Sequence, residues 1–268
     1  MADIYKVNSN NIVGGPGRLV VADFGIPYPN TIEDVMNLTE PYDLKPGWSD
    51  LGATSDGIAT SRGFDVEGFE VDQLPGEVDS DITAWTHTLE TTLAENTLEN
   101  RQLALIGAPI IETPSVLGTA TTTTGDVAAG ATIVPVTSVA GITPGSYVDV
   151  DGETRKVSRV EGTSIYLETS LAEAHVTGAT VSPITTLGTR RIGYGTPNEV
   201  PFKTYALISQ KKDGTLYMAV FRKAKVSGDD KEQTFGKEKR LLPLQLVAYP
   251  DSSAPQEENV YYEIEQTT

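Results

Sequence analysis

The stretch SRGFDVEGFEVDQLPGEVDSD, residues 61–81, decides the fold. Phe64 and Val66 alternate with Asp65 and Glu67, and Phe69 and Val71 alternate with Glu70 and Asp72. Neighbouring side chains on a strand point to opposite faces, so strict alternation signals a β-strand. The apolar residues hold even positions before Gly68 and odd positions after it. A change of phase at a glycine reads as a β-bulge, where one extra residue restores the face. The expectation is a long bent ribbon with one apolar side and one acidic side. DITAWTHTLETTLAE (81–95) reads as the returning strand, with Ile82, Ala84 and Thr86 on one face and Trp85, His87 and Leu89 on the other.

Strand-like segments and turn residues dominate on either side. GRLVVADFG (17–25) reads as a strand, and NTIEDVMNLTEPYDLKPG (30–47) as irregular chain with one short helical turn. ENTLENRQLALIGAP (95–109) is the one clear helix: Asn96 or Thr97 caps it, and Gly107 and Pro109 stop it. The composition then changes. From 113 to 186 the first charge is Asp126, and short apolar runs (TIVPV, SYVDVD, RKVSRV, SIYLET, ATVSPI) lie between closely spaced turn signals. That pattern predicts a small all-β module set into a loop of a host domain. The host resumes with VPFKTYALISQKKDG and TLYMAVFRKAKV, joined at the hairpin pair Asp213-Gly214. KRLLPLQLVAYP and NVYYEIEQ follow, and Pro243 places the former at an edge or a bulge. The expected class is mainly β: a β-sandwich or barrel with one packed α-helix and a long β-hairpin, from residues 1–112 and 188–268. The small all-β domain is expected at 113–187.

The 268 residues contain no cysteine, so there is no disulfide framework and no thiolate chemistry. Net charge is −17, unevenly spread: −14 over residues 1–112, −4 over 113–187 and +1 over 188–268. Phosphate binding relies on Lys and Arg, so this balance disfavours a tight DNA or anionic-membrane binder. No signal pattern or membrane-length apolar run occurs, which leads to the expectation of a soluble protein made in a cytoplasm. His87 and His175 stand far apart without Cys or His neighbours, so both read as ordinary strand or loop residues. No G-x-S-x-G, P-loop or H-E-x-x-H motif is present, and DVDGE (149–153) reads as a tight hairpin. Acid pairs such as Asp79 and Asp81 are too common here to indicate a glycosidase. No enzyme activity, cofactor or metal is expected. Trp48 and Trp85 are expected in the core; sugar stacking on them would instead make the chain a carbohydrate-binding or adhesion module.

The order of these phrases carries a resemblance. GWSDLGATSDG opens the hairpin, a strand leads into LAENTLENRQLALIG, and VPFKTYALISQKKDGTLYMAVFRKAKV and KEKRLLPLQLVAYPD follow the insert. Over about residues 15–112 and 188–250 the chain resembles the major tail tube proteins of long-tailed, siphovirus-like bacteriophages, those of actinobacteriophages in particular. The insert resembles small β modules that recur in phage structural proteins. The resemblance implies six-fold rings stacked into a hollow tube that guides DNA into the host. It implies tape-measure, terminator or baseplate partners, and a virion protein made and assembled in the host cytoplasm. It also implies that the hairpin contacts neighbouring subunits through Phe64, Val66, Phe69 and Val71, at about 1.5–3 kcal/mol gross for each side chain buried. Asp65, Glu67, Glu70, Asp72 and Glu77 are candidates for a DNA-repelling lumen. Lys223, Lys225, Lys237, Lys239 and Arg240 are candidates for charge contacts between rings, and the insert is expected on the tube exterior.

Overall fold

The computed structural model describes residues 15–228, 231–234 and 236–267, with the side chains of Val71 and Leu74 outside the description. The chain divides into two compact units, Met1–Pro109 with Ile192–Thr268, and Ile110–Arg191. The first unit opens with β1 (Gly17–Asp23), β2 (Trp48–Asp50), β3 (Thr54–Val71), β4 (Leu74–Leu93) and helix α1 (Leu98–Ala104). The second holds β5 (Ile111–Thr113), β6 (Val116–Leu117), β7 (Thr121–Thr122), β8 (Ile133–Pro135), β9 (Tyr147–Val150), β10 (Glu153–Glu161), β11 (Ser164–Leu167), β12 (Thr180–Thr186) and β13 (Thr189–Arg191). The first then resumes with β14 (Lys203–Gln210), β15 (Leu216–Val226), β16 (Leu242–Ala248) and β17 (Tyr261–Glu265). The protein is mainly β, with antiparallel sheets and one α-helix among the described residues.

In the first unit the strands form one sheet, β2-β1-β14-β15-β16-β4-β3, with β17 beside β15. Both faces of its centre are apolar, which is why GRLVVAD is apolar at successive positions. Leu19 and Tyr205 face a core that also holds Leu89, Leu93, Phe221, Leu242, Leu244, Leu246 and Ala104 of α1. Val20, Ala206, Ile208, Met218 and Val220 face a second core, covered by Ile32, Val35 and Met36 from the long β1–β2 connection and by Trp48 of β2. A register shift between β14 and β15 changes the parity along β15. Phe221 before it and Ala224 and Val226 after it therefore all reach the first core.

Local chemistry explains several boundaries. Thr97 caps α1 by accepting the Asn100 amide at 3.1 Å. Asn100, buried on the helix, donates to the main-chain oxygens of Leu51 and Glu95. Gly214 adopts φ +87 in the β14–β15 turn, and the Asp213 carboxylate accepts from Thr215. At Pro243, β16 pairs with β4 only, because β15 reaches no further than Leu246. The absent amide thus costs no ladder bond on the β15 side.

In the second unit β12 lies between β7 and β9, and β10 and β11 lead on to β8. Thr123 bridges Val136, and the amides of Thr124 and Thr137 donate to Pro135 and Thr122 at 3.0 and 2.9 Å. The ring of strands is therefore closed, around Val134, Val136, Val148, Val150, Val157, Ile165 and Val181. Closure removes free edges and encloses an apolar core in a short chain. The DVDGE segment is the β9–β10 hairpin, with Asp151 and Gly152 both at positive φ. Glu153 accepts the amides of Ala172 and Glu173, which hold its carboxyl below the usual range with help from His175 and Arg155. Pro183 lies inside β12, within the barrel wall.

Candidate functional site

β3 and β4 are 18 and 20 residues long and pair to a two-residue turn at Asp72-Gln73. Only the first part of this hairpin belongs to the body of the sheet, because β16 pairs with β4 from Leu93 to Thr88 and stops. Beyond that point the ribbon has no neighbour among the described residues, and every described side chain from Ser61 to Thr86 is exposed except at Gly63. The inner face of β4 runs from core to solvent along one line. Leu89 is 2% exposed, His87 5%, Trp85 48% and Ile82 50%.

Aromatic groups join the ribbon to the body. The Phe64 and Trp85 rings are 5.1 Å apart, Trp85 stacks on His87 at 6.1 Å, His87 meets Tyr261 edge-on at 5.5 Å, and Tyr261 stacks on Phe221 at 5.3 Å. The Arg62 guanidinium lies over the Trp85 ring at 4.4 Å. Nδ1 of His87 is buried with no hydrogen-bond partner, and burial followed by the Arg62 charge holds its pKa below the ordinary value.

The structure corrects the expected bulge. Pairing runs through Gly68 opposite Ser80, and the extra residues nearest to it on either side lie on β4, at Thr83 and at Val78. The Thr83 bulge brings Ile82 onto the face of Trp85, opposite Val66, and away from the Ala84 face expected for it. Because β3 alternates without interruption from Ile58 to Glu70, Phe69 lies on the face of Asp65 and Glu67, across from the side that carries Phe64 and Val66. Gly68 serves another purpose: a Cβ there would come within 2.3 Å of the Glu77 side chain, which crosses it.

The expected single acidic side is likewise two. Asp65, Glu67, Asp79 and Asp81 share the Phe69 face, Glu70 and Glu77 share the other, and Asp72 is in the turn. Glu67 stands directly opposite Asp81, and Glu70 directly opposite Glu77. Directly opposed like charges on paired strands are destabilising. None of these carboxylates has a salt bridge among the described residues. Phe64, Val66 and Phe69 are 55, 56 and 60% exposed, while the Val71 side chain lies outside the description. Trp48 is buried as expected; Trp85 is not, because its strand has left the core by that point.

The five expected cations fall in two places. Lys237 and Lys239 are exposed in an irregular segment, and Arg240 is half-buried there with its main-chain oxygen accepting from Asn96. Lys223 and Lys225 instead project from one face of β15 onto aromatic rings. Lys223 Nζ is 4.6 Å from the Phe202 centroid and 5.5 Å from that of Phe24; Lys225 Nζ is 4.8 Å from Tyr249 and 5.5 Å from Phe202. Phe24, Phe202 and Tyr249 form a ladder with spacings of 6.1 and 5.7 Å. No sequence signal marks this strip, because its rings follow or precede strands that are far apart in the chain.

One recess of about 750 Å³ lies between α1, β1–β2 and residues 195–201, with the Lys203–Asp23 ion pair on its wall. Its wall includes the Tyr205 ring, whose buried hydroxyl has no partner and is pushed above its usual range by burial. Among the described residues no three His, Asp or Glu side chains are placed to hold a metal ion, and no helix is long and apolar enough to cross a membrane. No protein-family model matches the chain, and no curated protein matches its sequence.

Proposed function

We propose that this chain is a self-assembling structural protein whose copies stack as rings into a phage tail tube, the conduit for DNA on its way into the host. One observation carries the reading: a ribbon of two long strands stands clear of its own fold with Phe64, Val66, Ile82 and Trp85 wet on one face. An isolated two-stranded ribbon is marginal in water, so such a face requires a cover, and burying four such side chains yields about 6–12 kcal/mol gross. The charge agrees with a conduit. A wall with a net charge of −17 per copy offers few sites to hold phosphate. The second compact unit decorates the exterior, and tape-measure, terminator or baseplate proteins complete the tail.

The alternative reading, a carbohydrate-binding module, needs an open aromatic platform. Trp85 is exposed, but Arg62 lies over its ring and Phe64 leans against it. Negative-stain microscopy of the purified protein tests the proposal: rings or tubes are expected, and the tubes leave added double-stranded DNA in the supernatant at physiological salt. Monomers that bind glycans would replace this reading with the alternative.

A further inference from the structure

The acidic face of the ribbon lacks a partner, and the same chain carries a surface of matching chemistry. On the ribbon, Phe69 is exposed among Glu67, Asp79 and Asp81, and Glu67 and Asp81 oppose each other directly. On the body, Lys223 and Lys225 hold their ammonium groups over the rings of Phe24, Phe202 and Tyr249. Neither lysine makes a salt bridge among the described residues; the nearby Asp251, on which Lys223 acts, is itself held by Tyr28 and Ser253. One surface is a ring bordered by carboxylates, the other a ladder of rings bordered by ammonium groups. A lysine fixed over an aromatic face has already surrendered side-chain freedom, so pairing it with a carboxylate costs less ordering.

The two surfaces of one copy are too far apart to meet. Lys225 is level with Val247, and Val247 with Thr88. Phe69 pairs with Asp79, nine residues further along β4, which is roughly 30 Å at strand spacing. We infer that the Phe69 face of the ribbon docks on the Phe24–Phe202–Tyr249 strip of another copy of this chain, with Glu67, Asp79 and Asp81 meeting Lys223 and Lys225. The inference rests on the assembly reading above and names the receiving surface for it. The contact joins two different patches, so it is heterologous and repeats from copy to copy, closing into rings or running on as filaments.

Charge reversal with mixing tests it. One variant carries Lys223→Glu with Lys225→Glu; the other carries Glu67→Lys with Asp79→Lys and Asp81→Lys. Assembly is followed by sedimentation velocity, and far-UV circular dichroism reports the fold of each. Each variant alone is expected to need about tenfold or more protein for half-assembly, in keeping with the coupling of close charge pairs at interfaces. An equimolar mixture is expected to recover wild-type assembly, because each ribbon then meets a strip of opposite charge. A misfolded variant has no such rescue. A strip variant that assembles as the wild type does, or a mixture that fails to recover, overturns the inference and leaves ring assembly standing. Wild-type protein that stays monomeric at every concentration overturns both.

Discussion

His87 marks the residue at which the ribbon leaves the body. Its imidazole bridges exposed Trp85 and half-buried Tyr261, with Nδ1 unpartnered and the Arg62 charge close by. Both circumstances favour the neutral ring, and the folded-state pKa lies below the ordinary 6.5. The sign of the linkage follows. The unfolded chain binds the proton more readily, so stability is complete above pH 6.5 and is lost as pH falls through that value towards the lower folded-state pKa. The depressed carboxylates, Asp34, Asp213 and Asp251 among them, act in the same direction but below their usual value of 3.8. His87→Phe keeps a ring in the aromatic line and removes the titration. Denaturant unfolding between pH 7 and 5 is expected to show a decline in the wild type that His87→Phe lacks. A wild type flat over that range would refute the buried neutral ring.

Within β4 a single element has two energetic roles. Its C-terminal part, from His87 to Leu93, packs on the body and its N-terminal part is wet, so substitutions should separate along its length. Leu89→Ala empties a site in the first core and is expected to lower unfolding free energy by about 2–5 kcal/mol. Phe64→Ser with Trp85→Ser is expected to leave monomer unfolding within about 1 kcal/mol of wild type, as at exposed positions generally. That double variant is expected to fail to assemble. Chemical denaturation beside sedimentation distinguishes the two effects; a large loss of monomer stability in the ribbon variant would place those rings in the fold's own core. The phase change at Gly68 shows why element-scale reading is treacherous here. Two apolar pairs out of step look like a bulge on β3, yet the ladder keeps β3 regular around Gly68 and puts the extra residues there on β4. A one-residue difference moves every later side chain to the other face. Pairing across the ribbon decides it, and one strand's alternation carries no information on its partner's register.

At the scale of the whole molecule the inserted unit is separable. The amide of Ala108 donates to Gly193 at 2.8 Å, so the host chain closes on itself where Ile110–Arg191 departs. Joining Pro109 to Ile192 through a short glycine linker is expected to leave the host folded and still able to assemble, as insertions at such surface loops generally permit. A melting curve and micrographs of that variant check it; loss of the fold would show the barrel to be part of the host core. A joint further in, at Pro183, would instead cut into a strand of the barrel wall. Much of the architecture was legible in adjacent residues. Thr97 capped its helix, Asp213-Gly214 and Asp151-Gly152 turned their hairpins, and each apolar run of the insert contains a strand of the barrel. These features are local: a cap, a turn or an alternation is satisfied by atoms within a few residues of one another. Only the tertiary structure decided that Trp85 is wet, that Phe69 lies among carboxylates, and that Phe24, Phe202 and Tyr249 meet beneath two lysines. Those facts depend on where a neighbouring strand stops and on which distant strand ends are brought level. Both are settled by hydrogen-bonded pairing over long stretches of chain, where no single segment holds the answer.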